Sequence, residues 1–379
     1  MISRGLPNLH REAPALGAIL LLLCAAVGFF WPADFFAGYL SAFIFWAQIA
    51  VGCLGLLLLQ YLTGGRWGAA ITRFLEAGAL TLPVLAVLFL PVFFGMPYLF
   101  PWIYPHTPEL QRLVAGKAAY LNVPFYVIRY AIYFLILGSL AAWYRRLSLH
   151  GNAHDIAVAE KWSGPALIGF VLLMNFATID WVMSLKPEWY SSMLSVEFCA
   201  EAATATMAWS IITLRVLDRN RLRRDLVDQK VTHDLGNLLL AFTCFWTYVT
   251  FSEFLIIWTG NLPHEVSWFA DRSSNAWKAV AVALVFLHFV IPVFCLILTA
   301  ISKRLDRLAW VAGLMLAAHF VQIVWWVGPG SQNGHFPWFT PFLVLGVGLI
   351  WSGFYVRFLQ SAPLMLAEGT HSASPEVTA

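Results

Sequence analysis

Within the long apolar runs of this chain sit a few ionisable residues whose spacing places them on shared helical faces. The run SMLSVEFCAEAATATMAWS carries Glu197, Glu201 and Thr204 at i, i+4 and i+7, one face of a helix. Two carboxyls one turn apart in low dielectric do not both ionise, so such a pair keeps a proton and suits a relay. The run GNLLLAFTCFWTYVTFSEFLIIW repeats the pattern with hydroxyls: Thr243, Thr247, Thr250 and Glu253 recur at spacings of four, three and three. A hydroxyl stripe ending in a carboxyl can hold a file of waters and exchange protons with it. The plainer reading has each threonine bonded back to its own helix carbonyls.

Asp180, in MNFATIDWVMSLKPEWYSS, and Arg129, in VPFYVIRYAIYF, belong at similar depth. A buried arginine needs a carboxylate partner. Asp180, Glu197 and Glu253 all lie at a suitable depth, and one guanidinium cannot neutralise them all. Two histidines fall near the middle of their runs. His288, in FLHFVIPVF, precedes Pro292 by four residues, so the helix bond that its carbonyl would accept is missing and a kink is expected. His319, in AAHFVQIVWW, shares a face with Gln322 and Trp326. Either histidine is equally well read as a satisfied core hydrogen-bonding group. Gln48 adds a further polar group, and Glu76, in TRFLEAGALTLP, is the main acidic residue expected toward the other side of the membrane. The deep polar groups thus gather in one half, which suggests a half-channel rather than a symmetric pore.

The elements that must position these residues are membrane spans. The 379-residue chain is 60% apolar and 11% charged, with a mean hydropathy of +0.73, whereas soluble domains carry roughly 25% charged residues. A span takes about 20 apolar residues. Ten are read near 14–31, 36–60, 72–95, 123–145, 162–184, 192–216, 236–259, 276–301, 308–328 and 339–360. The fold class is therefore all-α and integral to the membrane: a ten-helix domain over 14–360, a short tail over 1–13, and a disordered tail over 361–379. The first run resembles a secretory signal but has no small-residue cleavage site after it, so it is read as a retained helix. With both termini on one side, that side collects most of the Lys and Arg, among them Arg145, Arg146, Arg221, Arg223, Arg224, Lys303, Arg304 and Arg307. Both termini are thus expected in the cytoplasm. Many of the 18 Trp fall at span ends, as an interfacial belt requires. The basic stretch 217–235 reads as a topology determinant, or as a place to dock anionic lipid.

Several classes drop out. The five Cys are isolated within spans, so no CxxCH haem attachment and no iron-sulfur ligand run is present. No phosphate-cradling loop or HExxH helix occurs. The net charge of +3 reflects topology, and nothing points to nucleic acid.

The runs FSEFLIIWTGNLPHEVSWF (251–269), LHFVIPVFCLILTAISKRLDRLAWV (287–311), IDWVMSLKPEWYSSM (179–193) and FWAQIAVGCLGLLLLQYLTGGRWG (45–68) resemble the ActF-type membrane subunits of bacterial alternative complex III, within the NrfD-like family. That complex is an oxidoreductase passing electrons from quinol to cytochrome c or a high-potential iron-sulfur protein. The resemblance implies two four-helix bundles, from helices 2–5 and 6–9, flanked by helices 1 and 10, in the bacterial inner membrane. It implies a paralogous NrfD-like partner, a periplasmic iron-sulfur subunit and multihaem cytochrome c subunits. Haem c and iron-sulfur clusters would belong to those partners and none to this chain, which would supply a proton path and a quinone-facing surface. On that expectation Glu201 and Glu253 carry protons, Asp180 and Glu197 form the exit, Arg129 tunes them, and His288 and His319 relay at mid-depth. Two other readings stay open: a stand-alone proton-coupled transporter, and a membrane anchor binding b-type haem through His288 and His319.

Overall fold

The computed structural model describes residues 9–219, 228–330 and 338–363. The expected tails fall largely outside these residues, as does the middle of the basic stretch 217–235. All regular structure among the described residues is helical. The elements are α1 (Leu9–Gly28), α2 (Pro32–Thr63), α3 (Arg66–Ala79), α4 (Leu82–Leu99), α5 (Pro108–Gly116), α6 (Val123–His150), α7 (Ala153–Trp181), α8 (Leu194–Arg219), α9 (Gln229–Gly260), α10 (Pro263–Ala270) and α11 (Asn275–Leu284). A π-helical turn, Val285–Val290, leads into α12 (Ile291–Ile297), followed by α13 (Thr299–Ser302), α14 (Leu305–Val327) and α15 (Thr340–Gln360).

Local chemistry sets the boundaries. Proline occupies one of the first two positions of α2, α4, α6 and α15, where its missing N–H costs nothing. The side chains of Asn122 and Asn152 accept hydrogen bonds from the first turns of α6 and α7. The α2 helix stops at Gly64, whose φ of 68° belongs to the left-handed region open to glycine.

Three boundaries differ from expectation. The first helix already begins at Leu9, shortening the expected 1–13 tail. The expected 72–95 helix is two, α3 and α4, because Pro83 has no amide for the carbonyl of Ala79, and the Thr81 hydroxyl donates instead to the Gly78 carbonyl at 2.6 Å. The expected 276–301 helix is interrupted twice. Its turn before Pro292 widens, with the Ile291 N–H donating to the Phe286 carbonyl, and the backbone becomes extended at Leu298.

Among the described residues, nine helical segments are long and apolar enough to cross a membrane. The α8 helix has the length, at 26 residues, but not the apolarity. Its polar residues turn inward instead, with Glu197, Glu201, Thr204, Thr206 and Ser210 all buried. The outer surface is apolar, with Phe94, Leu135, Ile168 and Trp258 largely exposed. This inside-out distribution suits a lipid solvent.

The α2 helix is sheathed by α3, α4, α7, α8 and α15, and α8 packs in turn on α9 and α14. The α2 and α8 backbones approach so closely that a Cβ on Gly52 would lie 2.4 Å from the Ala202 carbonyl oxygen. The α1 helix lies along α15.

The bundle has two distinct ends. At one, here the cap end, Lys117 donates to the Pro187 carbonyl, Lys186 pairs with Asp271, and Arg272 donates to the Trp268, Trp325 and Trp326 carbonyls while stacking on the Trp268 ring. At the other, the basic end, Arg66 pairs with Asp234, His233 contacts Ser302, and Arg215 pairs with Asp306.

Candidate functional site

Glu201 stands on α8 in the middle of the packed helices, fully buried, with an imidazole facing each oxygen. Its Oε1 lies 2.7 Å from Nδ1 of His319 on α14. The other nitrogen of that ring, Nε2, faces the Phe45 carbonyl of α2 at 3.2 Å. A carbonyl only accepts, so Nε2 carries a hydrogen. One further proton must then lie on the Nδ1 to Oε1 line, held either by the imidazole or by the carboxyl. The pair is thus built around a proton with two available seats.

On its other side, Glu201 Oε2 lies 3.2 Å from Nε2 of His288, close but out of line for a hydrogen bond. Neither ring nitrogen of His288 has a protein hydrogen-bond partner. The ring instead stacks on Trp246 of α9, centroids 3.9 Å apart, and sits in the π-helical turn. Widened turns of this kind recur at functional sites because they re-aim one side chain without breaking the helix.

From this centre the ionisable groups run toward the cap end. Glu197, one turn before Glu201, accepts from Gln322 Nε2 at 2.9 Å. Glu253 on α9 lies within electrostatic and hydrogen-bonding reach of Glu197 and of the Ser191 hydroxyl. Exposure rises along the series, from 0% at Glu201 to 4% at Glu197 and 8% at Glu253, and Ser191 is only partly buried. Oε1 of Glu253 and the hydroxyl of Thr250 are buried with no protein partner, the condition that ordered internal water satisfies.

The threonine stripe divides. Thr243 donates to the Leu239 carbonyl and Thr247 to the Thr243 carbonyl, at 2.7 and 2.8 Å, so both hydroxyl protons are spent within the helix. Only Thr250 opens onto the acidic series. The continuous hydroxyl file expected along this face is therefore replaced by a short one.

Three other expected residues, Asp180, Arg129 and Glu76, sit apart from the cluster. Asp180 takes both oxygens' worth of bonds from Arg129, at 2.8 Å each, and a third from the Tyr133 hydroxyl at 2.7 Å. Arg129 spends its remaining nitrogen on the Tyr120 carbonyl and stacks on the Tyr120 ring. Such a closed pair holds α6 to α7. Glu76 lies toward the basic end, clasped by Arg73 at 2.8 Å and by Arg145, with Ser148 and Ser361 bonded to those arginines.

Trp246 and Ser191 belong to the site, yet neither stands out in the sequence, where a tryptophan among apolar residues reads as packing. A faint signal existed: Trp246 falls three residues after Thr243 and four before Thr250, on the stripe already noted. Beside the cluster, a cavity of about 510 Å³ opens between α2, α7, α8 and α9. Its walls, including Gly55, Phe170, Phe198 and Phe242, are apolar, and its few polar residues are Asn175, Ser192 and Ser195. Among the described residues no set of three or more His, Cys, Asp or Glu side chains is arranged to hold a metal ion.

Fold and site together define a class: an α-helical multi-pass membrane protein that keeps a glutamate between two histidines at its core. The chain matches no protein-family model and no curated protein.

Proposed function

We propose that this chain is the proton-conducting, redox-inert membrane subunit of a quinol-oxidising respiratory complex. The observation that carries the reading is Glu201, with a histidine nitrogen at each oxygen and a series of carboxyls leading from it to one end of the bundle. Quinol oxidation releases protons, and groups that accept and pass them need two stable seats per proton and short gaps. His288 receives, Glu201 and His319 share, Glu197 and Glu253 pass on, and Ser191 opens to the surface at the cap end. Gln322 holds Glu197 in line. Arg129 and Asp180 act as a clamp on the neighbouring helices.

The respiratory setting rests on the resemblance of the four runs named above to ActF-type, NrfD-like subunits. On that reading α8 is the tenth span, and the helices group as two four-helix bundles, α2 to α7 and α8 to α14, flanked by α1 and α15. Both termini lie in the cytoplasm of a bacterial cell, and the cap end faces the periplasm. The partners are a paralogous NrfD-like subunit, an iron-sulfur subunit and multihaem cytochromes. The apolar cavity between α7 and α9 suits the isoprenoid tail of a quinone, whose redox chemistry would be its own. Asn175, Ser192 and Ser195 would orient it without taking its protons, since none of them titrates.

The test is purification from the native membrane with the partners attached, followed by proton release per electron under quinol oxidation. Glu201→Gln and Glu253→Gln should each slow proton release about a hundredfold while quinol still binds. Unchanged release in both variants, or a chain that purifies without cytochromes or an iron-sulfur subunit, overturns the proposal.

A further inference from the structure

At the basic end, where α12 breaks at Leu298, a cleft of about 350 Å³ opens between α13, the first turn of α14 and the start of α9. It is lined by Gln229, Thr299, Ala300, Lys303, Arg304 and Arg307. Three cations share this small volume, and among the described residues none of the three has a carboxylate partner. Asp306, in the same turn, is taken up by Arg215. Arg307 donates to the carbonyl of Ala300, a fellow lining residue, at 3.1 Å, and its side chain is otherwise exposed. Three like charges brought together without a counterion repel one another, and their neighbours are amide and hydroxyl groups that hydrogen-bond phosphate oxygens well.

The surroundings identify the source of that phosphate. One helical turn further along α14, Trp310 is 83% exposed, and on the segment that runs down to the cleft Phe294 and Ile297 of α12 and Leu298 just after it are exposed as well. Cations, then an exposed tryptophan, then aliphatic and aromatic side chains is the order of headgroup, glycerol and acyl chain met on entering a bilayer. A soluble phosphate would gain nothing from the last two. The break at Leu298 matters here, because it brings Thr299 and Ala300, the first residues of α13, beside the cations.

We propose that this cleft is a binding site for one anionic phospholipid, its phosphate on Lys303, Arg304 and Arg307 and its chains against Trp310 and α12. The site is separate from the proton series and does not depend on it.

The experiment is native mass spectrometry of the full chain in mild detergent, titrated in separate arms with phosphatidylglycerol, phosphatidylcholine and inorganic phosphate. The expected result is retention of one phosphatidylglycerol, weakened about a hundredfold in the triple variant Lys303→Gln, Arg304→Gln, Arg307→Gln, at roughly fivefold per cation. Trp310→Ala, which keeps all three charges, should weaken phosphatidylglycerol and leave inorganic phosphate unchanged. That variant decides the matter if the triple variant does not fold. Equal retention of phosphatidylcholine, wild-type retention of phosphatidylglycerol by the triple variant, or inorganic phosphate binding as tightly as the lipid would overturn the proposal.

Discussion

At the scale of single residues, the same chemical group serves opposite purposes according to how completely it is satisfied. Asp180 and Glu201 are both buried carboxyls, 1% and 0% exposed. Asp180 is closed, with three bonds from Arg129 and Tyr133, whereas Glu201 keeps an oxygen that faces His288 without an aligned bond. Removing one partner of a closed buried ion pair strands the other charge, at a cost of about 3–5 kcal/mol. Asp180→Asn should therefore lower the melting temperature of the purified protein sharply and leave proton release intact in whatever folds, whereas Glu201→Gln should do the reverse. Thermal melts alongside proton release will separate the two roles. The i, i+4 pair on α8 and the depth match of Arg129 with Asp180 are legible in the sequence, since both depend on spacing. The contact of His319 with Glu201 is not, because the two are 118 positions apart and the third participant, the Phe45 carbonyl, belongs to the backbone.

Among the elements, the informative one is the π-helical turn at Val285–Val290. The sequence predicts a kink from Pro292, and proline does remove the amide that would have bonded the His288 carbonyl. The disturbance is absorbed upstream as a widened turn, which turns His288 toward Glu201 and Trp246. Pro292→Ala restores that amide and lets the regular helix close. It is expected to stabilise the protein slightly in a thermal melt while slowing proton release at least tenfold, because His288 rotates off its glutamate. Equal proton release in this variant would mean that the turn is incidental. Apolar run length made most helices legible in advance. It failed at α3 and α4, where the Pro83 break lies inside one continuous apolar run, since hydropathy is blind to a single absent amide. The run 192–216 is read as a span in the sequence, yet α8 falls short of the apolarity of the nine other spans, because its buried carboxyls lower it.

For the molecule as a whole, arginine and lysine gather at one end and a folded cap of short helices covers the other. On the proposed topology, green fluorescent protein fused after Ala379 fluoresces and alkaline phosphatase fused at the same place stays inactive, while phosphatase inserted in the α10 to α11 turn is active. The opposite pattern would invert the direction of the proton series. The pairing of α1 with α15 has a consequence for how the protein is made. The α1 helix leaves the ribosome about 330 residues ahead of α15, its main partner. At a synthesis rate of about 5–20 residues per second, α1 waits roughly 15–65 s in the bilayer before α15 arrives. Its sides meanwhile face lipid, where Leu16, Leu22 and Leu23 are at home. A ribosome that stalls before residue 340 therefore leaves α1 without that partner, its packed face still in lipid.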